Sequence, residues 1–346
     1  MADLTLEDVA KQVGVSRSTV SRVVNGSPNV SQDVRQRVLK TIQSTGYHPN
    51  AAARSLASQR TYMIGLVLPS SVSSFFTDPY FPQLTQGIAY ACNDFDLTLS
   101  LFLVGNKEDE EKISPRISRR GMLDGILIQS GQADDKMIDY LARSSVPSAI
   151  LGRPFEAEGV SYIDVDNVSA GFNATRHLIN LGYSRIATIT GPSNSTAAID
   201  RLDGYKKALI KSNRKVDEAL VVEGDFSEIS GYLAMKKLLT ANPDAVFAAS
   251  DIMAVGAMRA IQESGLNIPA DVAIVGFDDV PLGTLSNIQL TTIRQPIMKF
   301  GVKAVELLID LIENGTRPAR RLILDTELVV RDSCGARRSE AMLSVA

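Results

Sequence analysis

Tryptophan is absent from this 346-residue chain, and cysteine and histidine occur only twice each, as Cys92, Cys334, His48 and His177. The two cysteines lie far apart without metal-type spacing. They read as free thiols, which argues against a disulfide framework and a thiolate metal centre. Two scattered histidines argue against a His-rich metal site. No apolar run reaches the roughly 20 residues that span a bilayer. The opening stretch, MADLTLEDVAKQ, has neither the basic nor the apolar region of an export signal, so a cytoplasmic location is expected. Also missing are a G-x-S-x-G elbow, a P-loop and a G-x-G-x-x-G following a strand. Neither catalytic residues nor a cofactor are therefore expected.

A strong overall charge is missing too: the net value is −3. Its distribution is uneven. Residues 1–60 hold eight Lys/Arg against four acids, a net of +4, and the remainder carries −7. A small basic head on a larger acidic body is the asymmetry expected when only the head meets phosphate.

Three short helices are predicted in the head. The first runs from about Leu6 to Val13, with Thr5 capping it and Asp8 completing a capping-box pair. Leu6, Val9, Ala10 and Val13 form its apolar face, and Gly14 ends it. Ser16 caps a second, Arg17 to about Val24, whose inward stripe is Val20, Val23 and Val24. Ser31 caps a third, with Val34, Val38, Leu39 and Ile42 inward. The outward face of the second helix carries Ser16, Arg17, Ser18, Thr19, Ser21, Arg22 and Asn25, all hydrogen-bonding groups able to meet base edges or phosphates in a major groove. The same pattern also fits a small helical domain with an ordinary solvated face.

Residues 50–59 are alanine-rich, with Leu56 as the one large apolar side chain. So short a helix is marginal alone, so this segment reads as a linker that becomes helical only when stabilised. From Thr61 onward, apolar runs at 63–69, 97–104, 125–130, 147–152, 185–191, 245–250 and 272–277 alternate with amphipathic stretches. This is βαβ alternation with strands buried on both faces, and it predicts two doubly wound parallel lobes.

TLEDVAKQVGVSRSTVSRVVN followed by GYHPNAAARSLA closely resembles the lac repressor/galactose repressor family of bacterial transcription regulators, and the likeness continues through the body. It implies an all-α helix-turn-helix head (1–49), a hinge helix (50–60) and a two-lobed periplasmic-binding-protein-like core (61–340). Lobe 1 would be about 61–161 and 292–322, and lobe 2 about 162–291 and 323–340. By the resemblance, Arg17, Ser18 and Arg22 match base-contacting positions. Thr5, Ser16, Thr19, Ser21, Asn25 and Ser31 match phosphate-positioning sites. Leu56 matches the leucine that wedges between base pairs in the minor groove. The DNA partner would be a double-stranded, pseudo-palindromic operator bound by a homodimer. A leucine heptad tail is missing, which argues for a dimer rather than a tetramer.

The family's effector lies between the lobes. Matching positions are Phe76, Asp78, Tyr80 and Phe81 after the first strand, Arg201 in an R-x-x-G-aromatic pattern, Phe226, the pair Ser250-Asp251, and Asp278 in G-F-D-D. Phe81 could instead pack beneath its helix, and Asp251 and Asp279 could instead cap helices. Where some sugar-responsive members carry an Asp, this chain has Gly152-Arg153, and Arg153 reads as a ligand or dimer-interface residue. Aromatic faces with Arg and Asp forks suit a saccharide; a purine would use the same residue types. The reading is thus a regulator, probed against two others, a solute-binding protein and an α/β enzyme. The basic head opposes the first of these, and the lack of a nucleophile-base pair opposes the second.

Overall fold

A computed structural model of the chain describes residues 4–24, 27–47, 60–68, 72–119, 121–129, 137–138, 140, 144–155, 158–282 and 288–336. The chain divides into two compact units, Met1–Tyr62 and Met63–Ala346. The expected hinge, including Leu56, lies outside the described residues except for Arg60, and Asn25 lies outside them as well.

The head has the three expected helices, Leu6–Val13, Arg17–Val24 and Gln32–Thr45. Thr5 and Asp8 form a reciprocal capping box, and Gly14 closes the first helix in the left-handed conformation that glycine adopts without penalty. Val9, Ala10, Val13, Val20, Val23, Val38 and Tyr47 make the core, with Val34 and Ile42 packed against it. Two expectations fail. Leu39 is 49% exposed, because Val34, Val38 and Ile42 repeat every fourth residue and leave it off their face. Ser31 stands at the start of the third helix but makes no capping hydrogen bond.

The larger unit holds two six-stranded sheets. The first comprises β1 (Met63–Leu68), β2 (Thr98–Leu103), β3 (Gly125–Gln129), β4 (Ser148–Leu151), β5 (Tyr162–Val165) and β11 (Arg321–Leu324), in the order β11-β5-β4-β3-β1-β2. The second comprises β6 (Ile186–Thr190), β7 (Val221–Glu223), β8 (Ala245–Ala248), β9 (Ala273–Asp278), β10 (Thr291–Arg294) and β12 (Glu327–Val329), in the order β12-β10-β9-β8-β6-β7. Every pairing is parallel except β10 with β12. The chain passes from one lobe to the other after β5, β10 and β11. These crossings fall a few residues beyond the bounds read from sequence, because β5 and β10 are four-residue strands with no period to assign them to either sheet.

Close helix crossings build each lobe. The helices Asn167–Asn180 and Thr196–Lys211 meet at Gly171 and Gly204, where an added Cβ would sit under 3 Å from the backbone of Arg201 and Val168, respectively. Gly87 with Gly301, and Gly231 with Gly256, do the same for the helix pairs Tyr80–Asp94 with Ile297–Asn314 and Glu228–Leu239 with Asp251–Glu263. At each crossing the obstacle is backbone, which cannot swing aside. Gly204→Ala is therefore expected to lower stability by about 1–3 kcal/mol, the usual cost of forcing a methyl into a packed contact. A denaturant midpoint equal to that of the parent chain would show that the crossing tolerates a side chain.

Candidate functional site

In the head, Arg17, Ser18 and Arg22 lie on the exposed face of the second helix, opposite Val20 and Val23. Ser16 accepts the Thr19 amide at 3.1 Å, and its hydroxyl lies 2.8 Å from those of Ser18 and Thr19. The helix therefore begins in a cluster of three hydroxyls beside its positive dipole end, a ready partner for an anion. Thr5, Ser16 and Ser31 are exposed, and Thr19 and Ser21 are half-buried. Arg35 and Arg37 are used internally, donating to the carbonyls of Ser27 and Val13.

The second site is a cluster where the two lobes face each other, beyond the carboxyl ends of the strands. Arg201 is its centre, buried to 6% exposure. Its Nε donates to Asn167 Oδ1 at 2.8 Å and its Nη1 to the Ala249 carbonyl at 2.6 Å. Its guanidinium lies 3.5 Å from the centre of the Phe277 ring, a stacked cation–π contact. Asp278 follows Phe277 and holds φ at 119°, a strained value for a residue with a side chain. Gln295 Nε2 donates to its Oδ1. Burial pushes the Asp278 carboxyl up to about 7, with Asp78 adding to the rise and Arg201 and Gln295 opposing it.

The first lobe contributes Tyr80, Asp78 and Asp164. Asp78 accepts the Tyr80 amide at 2.9 Å, and burial raises its carboxyl. Burial raises the Tyr80 hydroxyl strongly, and the charges of Asp278 and Asp164 add to the rise. That field places Tyr80 among acids from both lobes. Phe81 packs against the core of the first lobe and stacks on Phe75, ring centres 6.4 Å apart, whereas Phe76 is 73% exposed. Phe226, at φ 69°, lays its ring over Gly191 just past the end of β6, where any Cβ would collide with it.

Other expected residues hold bonds within the chain. Ser250, not Asp251, caps its helix, accepting the Met253 amide at 3.2 Å. Asp251 is 1% exposed, and its two oxygens take the Thr292 hydroxyl at 2.6 Å and the Val280 amide at 3.0 Å. Asp279 caps none of the described helices; it pairs with Arg294 at 2.7 Å and Arg331 at 2.6 Å. Arg153 spends its guanidinium on Asp200, at 2.9 and 2.7 Å.

Asp164, Asn167, Gln295, Thr196 and Asp200 were not anticipated from sequence. Asp164 left a signal, an acid in the middle of the apolar run Tyr162–Val165. It is 7% exposed, accepts the amides of Val165 and Arg153 and the Asn167 side chain, and is raised by burial. Among the described residues no group of three or more His, Cys, Asp or Glu is placed to hold a metal ion. No described helix is long and apolar enough to cross a membrane.

Residues 5–50 match the family described as bacterial regulatory proteins, lacI family, and residues 175–334 match the periplasmic binding protein-like domain. The HTH-type transcriptional regulator CelR of Thermobifida fusca is 39% identical over 333 residues, 95% of this chain and 98% of the relative. A solved CelR–cellobiose complex superposes with a TM-score of 0.76 at 37% identity, covering 95% of this chain and 99% of that one. The lac repressor dimer bound to operator and the anti-inducer ONPF superposes at 0.80 and 30% identity, covering 96% and 99%.

Asp78, Asp164, Asp251 and Asp278 all bind protons more readily in the folded chain than in the unfolded one. A raised acid contributes stability that is complete below its unfolded value near 4 and is lost as the pH climbs through its folded value. These acids are expected to lower the melting temperature as the pH rises from 5 to 8, measured without added ligand, with His177, held below its usual value by burial, acting oppositely at the acid end of that range. Asp278→Asn should shrink that fall, since the amide cannot ionise; an unchanged pH profile in this variant would remove Asp278 as a source of the effect.

Proposed function

The chain belongs to the lacI family of bacterial regulatory proteins, and from that premise we propose that it is a cytoplasmic, homodimeric repressor whose grip on a pseudo-palindromic operator is set by an uncharged saccharide held between its lobes. The observation that carries the effector reading is the cluster of buried Arg201, Asp164 and Asp278 with half-buried Tyr80, drawn from both lobes. A guanidinium and carboxylates together supply donors and acceptors for vicinal hydroxyls. Phe226 offers a ring for the apolar face of a sugar. Asp78, Asp164 and Asp278, whose burial favours their neutral forms, offer both acceptors and donors to hydroxyls, which suits a neutral ligand. The relative CelR, solved with cellobiose, supports the same class.

On the DNA side, Arg17, Ser18 and Arg22 are assigned to base edges and Thr5, Ser16, Thr19, Ser21, Asn25 and Ser31 to phosphates, with Leu56 as the minor-groove wedge. The dimer follows the lac repressor dimer on its operator. The cleft residues are assigned to binding and not to turnover, in keeping with relatives named as transcriptional regulators.

Duplexes selected from a random pool by the full chain should show two-fold symmetry and bind at least about 10³-fold tighter than random sequence at physiological salt. Cellobiose and related neutral saccharides should include one that shifts this affinity about 5- to 150-fold. Arg201→Ala should lose the shift and keep operator affinity without saccharide. Loss of both together would assign Arg201 to the frame, and no preference for any duplex would overturn the regulator reading.

A further inference from the structure

Arg153 and Asp200 belong to different lobes. Arg153 lies in the loop that leaves β4 of the first sheet, just after Gly152 at φ 101°. Asp200 lies in the helix Thr196–Lys211, which packs on the second sheet, and it immediately precedes Arg201. The guanidinium meets the carboxylate with both prongs, Nε to Oδ2 at 2.9 Å and Nη2 to Oδ1 at 2.7 Å. In the same place Thr196 donates its hydroxyl to the Arg153 carbonyl at 2.6 Å. The Arg153 amide turns the other way and donates to Asp164 Oδ2 at 2.8 Å. Asp164 Oδ1 takes the Asn167 amide group at 3.1 Å, and Asn167 Oδ1 takes Arg201 Nε at 2.8 Å. The circuit closes through the peptide bond between Asp200 and Arg201.

Two-pronged pairing of this kind fixes direction as well as distance. The side chains are 34% and 17% exposed, shielded enough for the pair to matter and wet enough for separation to rehydrate both ions. We propose that Arg153 and Asp200 form a latch between the lobes, a positioning pair that holds Arg201 in register with Asp164 and so preforms the effector site. On this account Arg153 acts through Asp200 and does not touch the effector. Lobe opening breaks the ion pair and the bond from Thr196 to the Arg153 carbonyl as one event, which gives the hinge two discrete arrangements. The inference rests on the cleft being the effector site, but the latch itself can be tested with neither effector nor DNA.

Spin labels on cysteines placed at the exposed positions Glu111, in the first lobe, and Lys237, in the second, report the interlobe distance in the full chain. Arg153→Gln, Asp200→Asn and the double variant should each move the main distance population outward by the same amount, because either single change already removes the pair. Arg153→Lys, which keeps a charge opposite Asp200, should stay nearer the parent distribution. An unchanged distribution in both single variants overturns the latch, as does a double variant whose shift is the sum of the singles. Thermal midpoints measured alongside distinguish opening from general loosening: a large fall in every variant, the lysine one included, counts against the proposal.

Discussion

A guanidinium sealed from water must have its charge answered on every side, and Arg201 imposes that requirement on the core of this protein. Leaving such a group unpaired in a low-dielectric interior costs several kcal/mol. The answer comes from five partners: Asn167 and the Ala249 carbonyl by hydrogen bonds, the Phe277 ring on its face, and the fields of Asp278 and Asp164. Each partner is itself fixed by something further out. Asn167 begins a helix that can approach closely only because Gly171 and Gly204 have no side chains. Phe277 and Asp278 end β9, held at a backbone angle that the surrounding bonds must enforce.

The acids around Arg201 overshoot it. Asp78, Asp164 and Asp278 all lie within its field or that of Tyr80, and burial disfavours their charged forms. A cluster with more acceptors than one cation can satisfy is completed by hydroxyl donors, which bring hydrogen bonds without adding charge. A polyhydroxylated molecule spanning both lobes would bond acceptors from each, and that differential contact is what a ligand needs in order to shift a two-state hinge.

Much of this was legible in the sequence, for reasons that can be named. Long, evenly patterned elements announce themselves: the capping box at Thr5 and Asp8, the valine stripe of the second helix, and the runs that became β1, β3, β6, β8 and β9. Arg201 and Asp278 could be singled out because each follows such a strand, and Phe226 only because its loop resembles the family's. The four-residue β5 and β10 carry too little pattern to assign, so Asp164 and Gln295, which depend on them, stayed hidden. Arg153 illustrates a different limit. Its residue type was conspicuous, but its partner Asp200 sits 47 positions away, and only the fold brings the two together. The roles of Asp251 and Asp279 were hidden likewise: both stand where a cap is expected, but their oxygens are claimed by Thr292, Val280, Arg294 and Arg331.

The partition of charge complements this internal economy. The head carries +4 over residues 1–60 while the rest carries −7. An acidic core is repelled by the phosphate backbone, so non-specific attraction is confined to the head and falls steeply with salt. Arg35 and Arg37 are committed to carbonyls within the head, which leaves Arg17 and Arg22 on the exposed face of the second helix for DNA. In the proposed dimer, two heads on adjoining half-sites combine their grips. Affinity that depends on the placement of two heads is what would let a change in the core control it in the proposed mechanism.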